Sequence, residues 1–469
     1  MAPPLFVRLV CRFEGTLFSA PGSCLRGCDF SWNSQPTLSS AHSNRSGLGD
    51  FQLASAMALC GSTYAVMRSV ADCIRMSMFS HTTYDAIQRQ YLAPAVFSAW
   101  HAQQTVLLQE MVQKPSVRLA GDGRSDSPGF SAKYMTYTLL DSDSGYVVMG
   151  RVVQLGQEAS SSVGMEKVGL ESCLDELLQF GVPVSILTTD RSPSVIHLMK
   201  MKYSDVDHQH DIWHISKSVK KQLVAASKKP GHSLLADWVR SIVNHLYYCA
   251  QNCGEDASVL VELWVSLEKH ISGIHNWNPD KLLRTVLSCH HSESVDDNLD
   301  DGVETAYLSP GSEVHKSLKK IIPAPHLLSA IRRCTLALPT DYLENLHSVM
   351  LKYAPKRLHF SSRGMNMRCC LAYLDHNENV GRAVDPKNKF QFSRVSGQWV
   401  ARRVYAPKDF SWRRDILDAA LRIKKTGELP PNFNPPFSDV GRPRNIAPVA
   451  MPTKEELLLS RQHNTRHIR

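Results

Sequence analysis

Residues 116–155, SVRLAGDGRSDSPGFSAKYMTYTLLDSDSGYVVMGRVVQL, hold three apolar or alternating runs split by glycine-rich and Asp-Ser turns. The runs SVRLAGDG, AKYMTYTLLD and GYVVMGRVVQL predict three consecutive antiparallel strands. The first ends in Gly-Asp-Gly, which predicts a tight backbone turn at the mouth of the strand, with Asp122 on it and Arg124 and Asp126 crowded against it. A turn accounts for the glycines. It does not account for the aspartate.

Downstream, GMEKVGLESCLDELLQFG predicts an amphipathic helix stopped by Gly181, and VSILTTD a short buried strand closed by Asp190. SPSVIHLMKMKY predicts a helix with Ser192 as N-cap and Pro193 at its first position. HQHDIWHI reads as a further strand and SKSVKKQLVAASKK as a basic helix. Strand-strand-strand-helix-strand-helix-strand-helix is the order of a ribonuclease H-like α/β fold, in which the strands bearing Asp122 and Asp190 are central neighbours. Two facing carboxylates repel, and the pairing makes chemical sense as a divalent-metal site; taken singly, each aspartate also reads as a cap of a turn or helix. A third acid fits the same chemistry. LPTDYLENLHSVMLKYAPKRLHF predicts a helix capped by Thr340 or Asp341, with an apolar stripe of Leu343, Leu346, Met350 and Tyr353 and with Glu344 on its flank. A first-turn glutamate is also favoured by the helix dipole alone. The helix runs into the basic cluster KYAPKR, suited to a phosphate backbone.

The 469 residues are 43% hydrophobic and 21% charged, which excludes global disorder and allows one large domain or two ordinary ones. A net charge of +9 suits an anionic partner and many ordinary enzymes alike. Arg8 and Arg12 interrupt the apolar start, so no signal-peptide pattern opens the chain, and no apolar run reaches membrane-spanning length. Twelve scattered cysteines fit a reducing compartment, cytosol or nucleus. Residues 1–50, rich in Ser, Gly and Pro, read as disordered; Cys24 and Cys28, with Cys11 and His42 nearby, do not complete a zinc finger. Residues 51–112 read as a helical prefix, 113–228 as the first part of the core, and 229–335 as a mainly helical insertion. Residues 336–378 read as the final core helix with the third acid, and 379–469 as a basic C-terminal extension. The acidic run SESVDDNLDDGVE reads as an exposed loop. Within the insertion Cys249, His270, His275, Cys289, His290 and His291 are of the types zinc prefers, at a spacing that fits no standard finger. Cys249, His275, Cys289 and His291 are the candidates for a structural Zn²⁺, beside the ordinary reading of a buried free cysteine and surface histidines.

The blocks GDGRSDSPGFSAKYMTYTLLD, TTDRSPSVIHLM, HDIWHISKSVKKQL, SIVNHLYYCA, LENLHSVMLKYAPKR and LAYLDHN closely resemble blocks of eukaryotic cut-and-paste DNA transposase-like proteins of the Asp-Asp-Glu class. The resemblance is nearest to the Kolobok type, more distant to hAT and P element transposases, and spans about residues 85 to 410. It implies a ribonuclease H-like mixed sheet with flanking helices, interrupted by the insertion, and an acid triad of Asp122, Asp190 and Glu344. In that chemistry two Mg²⁺ (or Mn²⁺) ions clamp the attacking and leaving oxygens of a DNA phosphodiester during cleavage and strand transfer. Asp211 and His214 match an Asp-x-x-His signature that such transposases carry after the second acid. His214 then orients the scissile phosphate or donates to the leaving oxygen, or else is a satisfied core histidine. Lys133, Lys217, Lys220, Lys221, Lys352, Lys356 and Arg357 are candidates for backbone phosphates, and Arg124 and Arg191 for stabilising the acids or touching phosphate. The implied partners are DNA and, on DNA, further copies of the chain; the implied location is nuclear. Such proteins usually carry a separate, often zinc-dependent, DNA-binding module. Nothing before residue 50 reads as one; beside the disordered reading, a mispredicted or truncated start is the alternative for these residues. With basic residues suited to phosphates and no reading helix, DNA binding is expected to depend little on sequence. Two function classes follow: a transposase or derived nuclease, and a domesticated binding or scaffold protein that keeps the fold.

Overall fold

The computed structural model describes residues 6–9, 12–24, 28–40, 43–128, 132–156, 159, 161–290, 306–338, 341–393, 397–430, 433 and 452–463. The described residues between 6 and 47, a stretch expected to lack regular structure, include short strands. β1 (Phe6–Leu9), β2 (Arg12–Glu14), β3 (Leu17–Cys24) and β4 (Asp29–Asn33) pair antiparallel around β3, and β5 (Thr37–Ser40) pairs with β6 (Ser43–Gly47). β4 leaves no periodic signal because all five of its residues are exposed. Thr16 ties the strands down, its N–H and Oγ1 both donating to the buried Asp50 carboxylate at 2.7 Å.

Asp50 belongs to α1 (Leu48–Leu59), followed by α2 (Tyr64–Cys73), α3 (His81–Ile87) and α4 (Ala93–Val112), the last two joined through a π-helical turn at Gln88–Leu92. Then come β7 (Val117–Ser125), β8 (Tyr134–Asp141), β9 (Val147–Gln154), α5 (Ser162–Phe180), β10 (Val184–Thr189), α6 (Pro193–Lys202), β11 (Asp207–His210) and α7 (Ile212–Ser227). The strands build a five-stranded mixed sheet in the order β11-β10-β7-β8-β9, with β7, β8 and β9 antiparallel and β10 parallel to both β7 and β11. The chain is thus α/β, its sheet flanked by helices. α8 (Leu234–Asn252), α9 (Ala257–His270), α10 (Glu313–Ile321) and α11 (Pro325–Ile331) precede α12 (Asp341–Tyr353) and α13 (Ser362–Asn377). β12 (Val384–Ser393) and β13 (Gln398–Tyr405) form a hairpin, and α14 (Trp412–Thr426) and α15 (Lys454–His463) follow.

The two-residue period of the strands divides their side chains between two cores. Leu119, Tyr137 and Leu139 pack with Leu170, Leu174 and Leu177 of α5 and Val195 and Leu198 of α6. Ala120, Tyr134, Leu140 and Val152 face a second core built from α1, α4, α12, α13 and α14. α14, which lies in the stretch read as a basic extension, contributes Trp412, Ile416, Ala420 and Ile423 to that core. A third core is separate: Ile215, Val219 and Leu223 of α7 pack with Trp238 and Ile242 of α8 and Trp264 of α9. Every residue of α13 from Met365 to Asn377 is buried. Its seat is bare backbone, for a Cβ on Gly150 of β9 would lie 2.5 Å from Tyr373 Cζ. Gly150→Ala is therefore expected to cost about 1–3 kcal/mol by overpacking; a thermal unfolding curve that matches the parent would refute that close approach.

Asp375 ties this core together. Fully buried, it accepts from Lys352 Nζ at 2.8 Å and Tyr353 Oη at 2.7 Å, and Lys408 Nζ and Arg413 Nη2 lie 3.4 and 3.6 Å away. Burial alone would raise its pKa; the Lys352 and Tyr353 hydrogen bonds and the Lys352 and Lys408 charges outweigh that and hold it below the ordinary carboxyl value. Among the described residues no helix is long and apolar enough to cross a membrane.

Candidate functional site

β7 does not turn at Gly-Asp-Gly. Its ladder with β8 continues through Gly121 opposite Leu139, Asp122 opposite Thr138 and Gly123 opposite Tyr137, as far as Ser125 opposite Met135. Neither glycine takes a positive φ. Gly121 serves close approach instead: a Cβ there would lie 2.8 Å from Tyr137 Oη and 2.7 Å from Leu139 Cδ2. Arg124 and Asp126 brace the strand's end. Arg124 Nη2 donates to Ala354 O at 2.8 Å just past α12, while Asp126 Oδ1 accepts the Lys133 N–H at 3.1 Å and Asp126 O accepts the Arg357 N–H at 2.9 Å.

The parallel ladders pair Thr188 with Ala120 and Thr189 with His210. Carried on by one or two residues, these registers bring Asp190, just past β10, and Asp211, just past β11, level with Asp122 within β7. The strand expected over HQHDIWHI stops at His210, because Asp211 Oδ1 accepts the Trp213 N–H at 2.8 Å and caps α7. Glu344 arrives from α12, beyond the α8–α11 stretch. Asp122, Asp190, Asp211, His214 and Glu344 line one cavity of about 240 Å³, together with Lys217 and His347.

His214 Nδ1 lies 2.9 Å from Asp190 Oδ1 and 2.7 Å from Asp211 Oδ2. Hydrogen bonding to Asp190 and then Asp211 outweighs burial and raises its pKa to about 10, so at neutral pH it is an imidazolium shared by two carboxylates. Asp122 accepts the Gly123 N–H at 2.6 Å. Burial first, then repulsion by Asp190 and more weakly by Glu166, push its carboxyl up to about 7 against the Gly123 bond and the His214 charge. His347 Nδ1 is 3.6 Å from Asp122 Oδ2. Burial and the Arg124 and Lys356 charges lower its pKa to about 4, leaving it neutral at neutral pH, and its Nε2 is buried without a hydrogen-bond partner among the described residues. Carboxylates lining one cavity are the donors a hard divalent cation takes. The group whose ligand atoms lie within 4.8 Å of one another is Asp190, Asp211 and His214, not the triad of Asp122, Asp190 and Glu344, and the His214 imidazolium fills there the place of a cation.

Sequence reasoning missed two of these groups. His347 follows Glu344 by three positions, a spacing that places both on one face of α12 and offered a signal. Glu166 carried none; it comes from α5, where its charge is felt by Asp122.

The basic candidates divide. Lys217 Nζ sits 3.9 Å from the centre of the Trp213 ring at the cavity. Arg191, Lys220, Lys221, Lys356 and Arg357 are exposed, and Lys133 is half-buried with Nζ 5.0 Å from the centre of the Tyr134 ring. Lys352, read as a phosphate contact, is engaged by Asp375, and Arg124 is buried against backbone. Among the zinc candidates, His275 and Cys289 come together with His270. Cys249 lies instead in the apolar core around α8, where burial pushes its thiol pKa up. His291 and the acidic run at 292–304 lie outside the described residues. No family model matches the chain, and no curated protein is similar to it at a significant level.

Proposed function

We propose that the protein is a divalent-metal-dependent DNA phosphodiester transferase of the cut-and-paste transposase type on a ribonuclease H-like fold. The observation that carries this reading is that Asp122 of β7 and Asp190, just past its parallel neighbour β10, line one cavity with Glu344, which comes from a helix beyond a long insertion. The strand order β11-β10-β7-β8-β9, with its antiparallel first three strands, supports the fold. Bound as a pair, Mg²⁺ or Mn²⁺ would activate the attacking oxygen and stabilise the leaving one. Asp122, Asp190 and Glu344 would be the residues that hold them. Held near pH 7, Asp122 ligates only after losing its proton, so loading favours neutral to alkaline solution. The His214 imidazolium restrains Asp190 and sets a positive charge at the cavity, where a phosphate's charge is best met. Lys217, propped on Trp213, adds a second. A DNA substrate implies a nuclear location, and joining two transposon ends implies several copies acting together on DNA.

The test is direct. Full-length protein is incubated with DNA bearing candidate terminal inverted repeats in Mg²⁺ or Mn²⁺; nicking or strand transfer that disappears with EDTA is expected. No cleavage on any such DNA, with binding retained, favours the second reading, a DNA-binding or scaffold protein without catalysis. One observation favours that alternative: Asp190 is already charge-paired inside the protein, to His214.

Binding itself should be electrostatic. Replacing Lys217, Lys220 and Lys221 together by alanine is expected to weaken DNA binding at low salt by about 10-fold or more and to flatten the plot of log K against log salt by up to ~3, nearly one unit per lost phosphate contact. An unchanged slope would remove this face of α7 from the interface.

A further inference from the structure

We propose that His270, His275 and Cys289 form a zinc site that pins the 271–289 segment to the end of α9, separate from the cavity of acids and independent of any DNA chemistry. Three donors are brought together here by three different devices. His270 is the last residue of α9. Gly273, at φ 72, reverses the chain just past it and brings His275 back toward the helix. Cys289 is fixed by backbone pairing, its N–H donating to His275 O at 2.9 Å beside the bridge between Asn276 and Ser288. The result is a His-x4-His-x13-Cys arrangement whose ligand atoms all lie within 4.8 Å of one another.

The distances suit the ion. Cys289 Sγ is 3.5 Å from His270 Nδ1. A tetrahedral zinc with its usual bonds to sulfur and imidazole nitrogen holds those two atoms about 3.6 Å apart. The two imidazole rings stand 5.3 Å apart at 78°, so neither ring covers the other. Second contacts hold both rings. Tyr307 Oη lies 3.4 Å from His275 Nε2, and the Trp238 ring meets His270 edge-on at 6.0 Å. Such outer partners set the orientation of metal-bound histidines. All three donors are half-buried, reachable by an ion yet removed from bulk solvent. A thiolate with two imidazoles selects zinc, or cobalt in its place, over the hard ions that suit the carboxylates. Three protein ligands leave the fourth position of the tetrahedron for water or a further donor.

The test uses the full chain. Protein purified without added zinc is expected to hold about one zinc per chain by elemental analysis. After chelation it should take up Co²⁺ with a thiolate-to-cobalt charge-transfer band, and its unfolding temperature should rise on zinc return. Cys289→Ser is expected to abolish the band and weaken zinc binding at least ~100-fold, and His270→Gln to weaken it with the band retained. Cys249→Ser, in the apolar core, should change neither. Should Cys289→Ser fail to fold, the same readings are taken on His270→Gln and His275→Gln. The proposal is overturned by the absence of both stoichiometric zinc and the cobalt band in wild type, or by a band that survives Cys289→Ser.

Discussion

Asp190→Asn is expected to lower Mg²⁺-dependent DNA nicking or strand transfer by at least ~100-fold, about 2.7 kcal/mol in the barrier. Asparagine keeps the shape of the side chain at the end of β10 and removes the charge that faces both Asp122 and His214. DNA binding without metal should survive, since the exposed lysines of α7 are untouched. The change also carries a readout that needs no activity. Repulsion by Asp190 is, after burial, the main force holding the Asp122 carboxyl near pH 7; with that charge gone the Asp122 pKa falls, measurable by carboxyl-carbon NMR titration. Full activity in the variant would sink the metal-site reading, and an unmoved Asp122 would sink the facing of the two acids.

The largest loss of stability is expected from Asp375→Ala. Removing this carboxylate opens a void at a fully buried position and leaves Lys352 and Lys408, each more than a third exposed, and the more buried Arg413 without their counter-charge, a change expected to cost about 2–4 kcal/mol. The pH dependence follows from its lowered pKa: its stabilisation is fully present above the unfolded carboxyl value of about 4 and is lost as pH falls through the lower folded value. Denaturant unfolding of wild type and variant should therefore differ most at neutral pH and converge in strong acid. A difference under about 1 kcal/mol at pH 7 would show that the cluster is not holding α12, α13 and α14 together.

What was legible in the chain follows from where burial leaves a pattern. Runs such as VSILTTD announce themselves because a buried strand must be apolar and its polar end then stands out; Asp122 and Asp190 were found that way. The exposed β4 has no such contrast, and α13, buried all round, has no polar stripe to reveal its period. The start of α7 was misplaced because Ile, Trp and His suit strands, while the deciding event is one side-chain bond from Asp211 to a backbone N–H. Gly-Asp-Gly was read as a turn because local sequence cannot show that Tyr137 and Leu139 crowd the next strand. Lys352 looked like a phosphate contact for a similar reason: its partner, Asp375, is near only after α12 and α13 pack.

α7 belongs to two bodies at once. Its first turn carries Asp211, Trp213 and His214 at the cavity, while Ile215, Val219 and Leu223 along its length are embedded in the core shared with α8 and α9. Mechanically it is a crank about 24 Å long, at 1.5 Å per residue, with its pivot at the capped end. A shift of the core that α7 shares with α8 and α9 would reach the acids through that shaft. A swing of ~5° displaces the distal end by ~2 Å and His214 by a few tenths of an ångström. That is enough to lengthen the 2.9 Å contact between His214 and Asp190. The stretch between the second and third acids thus rests on the same helix that sets His214 beside Asp190.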